Sequence, residues 1–174
     1  ETGQIQVRDL FIDYKFDEGA RLRIGQGKKR FGIEWELGME ERLPLKRGAI
    51  YQKLGSLSYS GRDTQIDYRF ARDDASALTH DVSLHTSEGA NLAAIYRLTY
   101  DLNEETFFSS SSLIQASEVS RLWKLSAAQA FSFWRVSENF RHQTELFLAE
   151  DYIESEYKTR IGLSGPSPFA ALSF

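Results

Sequence analysis

The chain has 174 residues, a net charge of −4 and no cysteine. This length suits one all-β domain that can bury a core or close a small barrel, and the missing thiols exclude disulfides, thiolate metal sites and a cysteine nucleophile. The acidic balance argues against a general nucleic-acid binder, and no apolar run reaches the roughly 18 residues that a transmembrane helix needs.

The first predicted element is a β-hairpin. Apolar and polar residues alternate over residues 10–16 and again over residues 21–24, and Gly19 lies in the turn between them. Glycine readily adopts the positive φ that a tight hairpin needs. The next segment, residues 26–60, loses the alternation and is rich in charge and glycine. We therefore expect a long loop there.

Alternating segments separated by turn residues recur along the rest of the chain. They cover residues 64–70, 80–86, 91–102, 107–116, 123–133, 145–149, 157–163 and 169–174. Strands and turns in regular succession predict an antiparallel meander of about eight to ten strands. We expect a single domain over residues 1–174, with the fold of an all-β, antiparallel, up-and-down barrel.

The clearest strand covers residues 91–102. It places Leu92, Tyr96 and Tyr100 on one face and Arg97 on the other. In a membrane barrel, a tilted strand of about ten residues crosses the bilayer. Its apolar face contacts lipid, and its polar or charged face contacts the water-filled lumen. A soluble barrel with its apolar face inside has the same period. The pattern favours a transmembrane β-barrel and leaves open which face meets lipid.

Residues 22–34 read LRIGQGKKRFGIE. This segment resembles one near the start of the phosphate-selective porins, which are β-barrels of the bacterial outer membrane. Gly27 stands where that family usually has phenylalanine, and Arg30 where it usually has proline. Residues 8–16, 47–51 and 61–63 are similar to neighbouring parts of the family. Because those porins are larger barrels than this chain can build, the resemblance implies a fragment, a reduced barrel or a divergent relative.

The resemblance implies an outer-membrane channel for passive diffusion of small hydrophilic, anionic solutes such as phosphate. If the aromatic faces point outward, basic residues on the inner face can line the pore and bind anions through forked hydrogen bonds. These residues are Lys15, Arg21, Arg23, Arg69, Arg97, Lys158 and Arg160. In the alternative interpretation, acidic residues on adjacent strands pair with them and fill a narrow interior.

Two further groups of residues are candidates for a role in a membrane barrel. Lys28, Lys29 and Arg30 form a basic cluster that could guide anions to a pore mouth, although a solvated loop is the simpler expectation. Aromatic residues at predicted strand ends are typical of the belts that lie at lipid-headgroup depth. They are Tyr51, Tyr59, Trp123, Trp134 and Tyr152.

We do not expect an enzyme or a cofactor. His80 and His85 fall on opposite faces of one strand, which disfavours a metal site, and no nucleophile elbow or phosphate loop is present. A glycan-acting enzyme would need Asp67 and Asp81 as a pair of catalytic carboxylates. Paired acids inside a barrel are more often salt-bridged than catalytic. The expected partners are membrane lipid and small anionic solutes. A homo-oligomer, a non-conducting membrane-anchored scaffold, and a soluble barrel or sandwich that binds a hydrophobic ligand or a protein all remain open.

Overall fold

The chain folds into one antiparallel sheet of nine described strands in sequence order, β1 to β9. The computed structural model describes residues 9–16, 19–32, 61–71, 77–87, 91–119, 122–137, 140–151 and 167–173. The strands are β1 (Leu10–Lys15), β2 (Arg21–Lys28), β3 (Arg62–Ala71), β4 (Leu78–Ser87), β5 (Asn91–Asn103), β6 (Thr106–Val119), β7 (Leu122–Ser137), β8 (Phe140–Asp151) and β9 (Ser167–Ser173). The predicted meander is confirmed. Within the described residues, no helix is long and apolar enough to cross a membrane.

Strand β2 extends further than the sequence predicts. Residues 26–28, assigned to the long loop, continue the strand to Lys28, so the predicted start of that loop is wrong. The reason is close packing: a Cβ on Gly25 would lie 2.2 Å from the Leu10 carbonyl oxygen, and one on Gly27 would lie 2.5 Å from Gln65 Nε2. These glycines mark close approaches inside the sheet rather than a loop. Residues 33–60 and the strand predicted over residues 157–163 lie outside the described part.

Replacing Gly25 with alanine is expected to lower the free energy of unfolding by roughly 2–4 kcal/mol, because the new methyl group overlaps the β1 backbone and φ is already positive. The φ angle of Gly25 is 145°. Gly61→Ala is the matched control, since its φ is 134° but nothing lies within 4 Å of the point that a Cβ would occupy. Denaturant titration of both variants separates the steric overlap from the backbone term. Equal losses would show that the overlap contributes nothing.

The sheet has an apolar face and a polar face. On β5, Leu92, Tyr96 and Tyr100 are 53%, 43% and 48% exposed, whereas Arg97 on the opposite face is 4% exposed. The predicted separation of the two faces is confirmed. One register row of the apolar face runs across six strands through Ile24, Ile66, Leu84, Ala94, Ile114 and Ala127. Branched and aliphatic side chains are therefore displayed side by side on the outside.

The polar face is the buried one, which inverts the usual arrangement of a soluble protein. Its buried polar side chains include Asp63, Gln65, Asp67, Asp81, Ser83, His85, Arg97, Ser109, Ser111, Gln115, Ser126, Ser132 and Glu145. A smaller apolar group lies among them, which includes Trp134, Phe31, Phe147, Ile95 and Leu113. The interior of the fold is thus mainly polar, and charged at several positions.

The sheet curls around its polar face. β2 and β8 are six strands apart, which is about 29 Å in a flat sheet at about 4.8 Å per strand. Phe31 lies three residues beyond the end of β2, and three residues of extended chain reach only about 10 Å. Yet the ring centroid of Phe31 is 6.1 Å from that of Phe147 on β8. The two halves of the sheet therefore face each other, although β1 and β9 do not pair within the described residues.

Candidate functional site

The candidate site is built on one register row that crosses the middle of the polar face. From β2 to β8 this row contains Arg21, Arg69, Asp81, Arg97, Ser111, Ala130 and Phe147. Alternation places every member on the same side of the sheet. The row is charged on β2 to β5 and carries small or aromatic side chains on β6 to β8. The interior therefore has one ionic wall and one uncharged wall.

Ion pairs organise the ionic wall. Arg69 binds Asp81 through two hydrogen bonds of 2.6 and 3.3 Å. Arg23 binds Asp13 in the same forked manner at 2.7 and 2.8 Å and also lies 3.7 Å from the centre of the Phe11 ring. Forked guanidinium–carboxylate pairs are the strongest hydrogen-bonded ion pairs in proteins. Several basic residues predicted to bind solute anions are thus bound to carboxylates of the wall itself.

Residues 29–32, which we term the crossing segment, leave the end of β2 and enter the interior. The Lys29 backbone N–H donates to the Gly61 carbonyl at 2.9 Å, and the Lys29 ammonium lies 2.8 Å from Asp63. Arg30 reaches deeper, with its guanidinium 3.0 Å from Asp81 and 3.6 Å from Asp67. Phe31 is fully buried and packs against Phe147 on the opposite wall. The crossing segment therefore bridges the two walls at the level of the Asp81 row.

The basic cluster of Lys28, Lys29 and Arg30 is not the solvated loop that the sequence favours. Lys29 is 2% exposed, and Arg30 is held between two carboxylates. The expectation is wrong because it rests on the charged residues that are adjacent in sequence. Those residues do not show that three aspartates of β3 and β4 face the part of the interior that the cluster enters. A cation beside several buried carboxylates is more stable inside than in solvent once those carboxylates are fixed there.

A polar cavity of about 390 Å³ opens beside the crossing segment. It is lined by Asp9, Phe11, Arg23, Gly27, Lys28, Arg30, Gln65 and Arg69. Four of these are basic residues that the sequence singled out. Within this lining Asp9 is the acidic residue, and the carboxylates of Asp13, Asp67 and Asp81 lie behind it as ion-pair partners of Arg23, Arg30 and Arg69. The described lining of the cavity is therefore mainly basic.

The remaining predicted basic residues do not join this cavity. Lys15 is exposed on the edge strand β1, and Arg97 is buried in the mid-height row on β5. Arg21 lies 3.8 Å from Asp67 on the ionic wall. Lys158 and Arg160 lie outside the described residues. Of the predicted pore-lining residues, Arg23 and Arg69 therefore line the cavity, whereas Lys15, Arg21 and Arg97 do not.

Asp67 and Asp81, the candidate catalytic pair, meet through Arg30 rather than directly. Asp67 is opposite Ser83 in the register, and Asp81 is opposite Arg69. His80 and His85 lie on opposite faces, as predicted, with His80 donating to or accepting from Tyr96 Oη at 2.8 Å. In the described part of the chain, no three metal-ligating side chains come together. The geometry of this region is that of a salt-bridged wall.

The uncharged wall is lined by hydroxyl groups. Within the described residues, the Oγ atoms of Ser109, Ser111 and Ser126 are buried and have no protein hydrogen-bond partner. Glu145 on β8 is an acidic exception on this wall: it is fully buried and accepts a hydrogen bond of 2.9 Å from Ser132. Buried hydroxyls require partners, so this wall is suited to water or to a polar solute.

Aromatic residues gather on the apolar face toward the short turns that join β1 to β2, β3 to β4, β5 to β6 and β7 to β8. Neighbouring rings with centroids 4.7–6.3 Å apart form a chain through Tyr14, Phe16, Tyr68, Phe70, His80 and Tyr96. A second group contains Phe108, Phe133 and His142. Trp134, predicted for an aromatic belt, is instead buried on the polar face. Tyr51, Tyr59, Tyr152 and the side chain of Trp123 lie outside the described part of the chain.

Sequence reasoning missed the Phe31–Phe147 contact and the inward path of the crossing segment. The one available signal was the pair of glycines in β2, since glycine within a strand indicates a bulge or a close approach. Comparisons of the chain with protein-family models, with curated proteins and with solved structures each found no match.

Proposed function

We propose that this chain forms the wall of a β-barrel in an outer-membrane-type bilayer, with the apolar face toward lipid and the polar face toward the interior. The observation that carries the proposal is the inverted burial: Leu84 and Ile114 are well exposed, while Asp67 and Asp81 are buried. Water penalises such a broad apolar surface, whereas hydrocarbon does not. The charged side chains inside the curl form their hydrogen bonds with groups of the interior, which is necessary because lipid tails offer no hydrogen-bonding partners.

The dimensions of the apolar face support this proposal. On β5 the face extends from Leu92 to Leu102, which is about 34 Å of strand at about 3.4 Å per residue. A tilt of about 40° reduces this height to about 26 Å, and the lipid-facing band of membrane barrels is about 25 Å tall. The aromatic chain near the short turns has the composition of a girdle at one headgroup level.

The function we propose for this barrel is passive diffusion of small hydrophilic, anionic solutes. The specific support is the polar cavity, where the guanidinium groups of Arg23, Arg30 and Arg69 converge. Such a site concentrates anions and gives a pore an anion bias. A non-conducting, membrane-anchored scaffold is the second candidate, favoured by the fully buried side chains at Phe31 and Phe147.

The soluble alternative is disfavoured by the same exposed surface. A soluble barrel that binds a hydrophobic ligand needs apolar side chains facing inward, but Tyr96 and Tyr100 face outward while Arg97 is buried. The outward groove lined by Leu98, Phe108, Phe131 and Leu146 is part of the same apolar surface. In a water-soluble protein, this surface would promote aggregation.

Reconstitution of the purified chain in phospholipid vesicles tests the proposal. We expect detergent-dependent solubility, co-flotation with vesicles that resists carbonate extraction, and permeability to chloride greater than to potassium in a salt gradient. A monomer that is stable in buffer without detergent would refute membrane insertion. Insertion without ion flux would favour the scaffold, and a reversal potential that indicates cation preference would refute the proposed anion bias.

A further inference from the structure

We propose that the crossing segment is a releasable latch: with Arg30 bound to Asp67 and Asp81 the interior is closed at mid-height, and loss of these ion pairs opens it. The inference rests on the proposed function, because it concerns the path through the same polar interior. It assigns to residues 29–32 the control of that path.

The position of the crossing segment makes it an obstruction. Arg30 contacts Asp81 on β4, and the next residue, Phe31, contacts Phe147 on β8. Asp81 and Phe147 belong to the same register row, so two consecutive residues connect β4 to β8 across the polar interior. A solute that moves along the polar face between these strands meets the crossing segment.

Mostly small side chains line the uncharged wall beside the crossing segment. Between Arg97 and Phe147, the row contains Ser111 and Ala130, and the neighbouring row contains Leu113, Ala128 and Ala149. The short side chains leave room for the crossing segment. Its departure would expose serine and alanine positions of this wall, Ser111 among them.

The ion pairs of Arg30 can be broken without leaving either of its carboxylate partners alone, and they are separate from the Lys29–Asp63 pair. Asp81 keeps both hydrogen bonds to Arg69 when Arg30 leaves, and Asp67 keeps Arg21 at 3.8 Å. Removing one cation from a shared carboxylate costs much less than leaving a buried charge alone. Gly32, the last residue of the segment, has a φ of 79° and provides backbone freedom at that end.

The polar cavity adjoins the latch, since Arg30 lines it and also holds the segment. An anion that binds Arg30 from the cavity competes with Asp81 for the same guanidinium. Entry of an anion and release of the latch are therefore coupled through one residue. This coupling distinguishes a latch from a fixed constriction. The width of a fixed constriction would not depend on the charge of Arg30.

Arg30→Gln tests the latch, with Arg135→Gln as the matched control because Arg135 is exposed on β7 and belongs neither to the cavity nor to the crossing segment. Two readouts are taken on protein in vesicles. One is the single-channel conductance in potassium chloride. The other is the rate at which a thiosulfonate reagent labels cysteine at Ser111→Cys, a clean measurement because the chain has no cysteine of its own.

We expect Arg30→Gln to raise the conductance by about threefold and the labelling rate by roughly tenfold, while Arg135→Gln changes neither. Faster labelling without any ion flux would support the latch and refute the diffusion function. Ion flux in the parent protein with no change in conductance or labelling in Arg30→Gln would overturn the latch and leave the function standing. If the parent protein shows no ion flux and Arg30→Gln changes neither the conductance nor the labelling rate, both proposals fail.

Phe31→Ala provides the second variant, in case Arg30→Gln does not fold as judged by heat-modifiable gel mobility. It removes the contact with Phe147 and leaves the ion pairs of Lys29 and Arg30 in place. A latch held from both walls predicts faster labelling at Ser111→Cys in this variant as well. Unchanged labelling in a folded Phe31→Ala protein would overturn the inference.

Discussion

Leu84→Arg is expected to lower the stability of the vesicle-inserted protein by about 2–4 kcal/mol, the cost of a basic residue at the midplane of a lipid-facing barrel wall. Leu84 lies on the apolar face of β4 in the aliphatic register row, opposite Ile66 and Ala94, and its side chain is exposed. Equilibrium unfolding by guanidinium in phospholipid vesicles measures the effect.

Thr86→Arg is the matched control for Leu84→Arg. Thr86 is exposed on the same face of the same strand but lies close to the strand end. A membrane wall predicts a cost of about 0–1 kcal/mol at such a depth, because the guanidinium reaches the headgroups. A face in water would tolerate both substitutions within about 0.5 kcal/mol. Equal effects of the two variants would therefore contradict a lipid-facing surface.

The division of the sheet into two faces could be predicted from sequence because it depends on a local period of two. On β5, a shift of the strand register by one residue would move Tyr96 to the face of Arg97 and Arg97 to the face of Tyr96. Once one face is buried, the alternation therefore allows only one assignment of side chains to the two faces. The turn at Asn103 was equally local, and there the Glu105 N–H donates to Asn103 Oδ1 at 3.0 Å. Strand order followed from the short turns, which can join only neighbouring antiparallel strands.

The crossing segment could not be predicted in this way, because it depends on the curl of the sheet. Phe31 and Phe147 are far apart in sequence and come together only when six strands bend around the polar face. Arg30 likewise meets Asp67 and Asp81 through space. Composition alone assigns the glycines at the end of β2 to a loop, whereas their role is steric and depends on the neighbouring strands.

The aromatic surface shows a second limit of sequence reasoning. Residue type and a place near a strand end predict an outer belt position for Trp134, but its position in the β7 alternation puts it on the buried face, 6.5 Å from the Phe107 ring. The outer rings are instead those in phase with Tyr96, such as Tyr68 and Phe70. Phase within the strand is a better guide to facing than residue type.

Asp81→Asn is expected to lower the free energy of unfolding by about 3–5 kcal/mol, as when one partner of a buried ion pair is removed. Asp81 is buried and binds two guanidinium groups, those of Arg30 and Arg69. The amide keeps the shape of the side chain and removes its charge, so the loss reports the electrostatic contribution. Denaturant titration in detergent micelles, with heat-modifiable mobility as the test of folding, measures it.

Asp13→Asn supplies the comparison that gives the Asp81 result its meaning. Asp13 binds Arg23 in the same forked geometry, but the pair is exposed on β1 and β2, and exposed pairs contribute about 0–1 kcal/mol. A large loss at Asp81 beside a small loss at Asp13 indicates a weakly hydrated environment around Asp81 and its two guanidinium partners. Similar small losses at both positions would contradict this, because they would mean that water screens the interior pairs as it does those at the edge. Coupling between Arg30→Gln and Asp81→Asn in a double-mutant cycle then shows how much of the loss passes through the crossing segment.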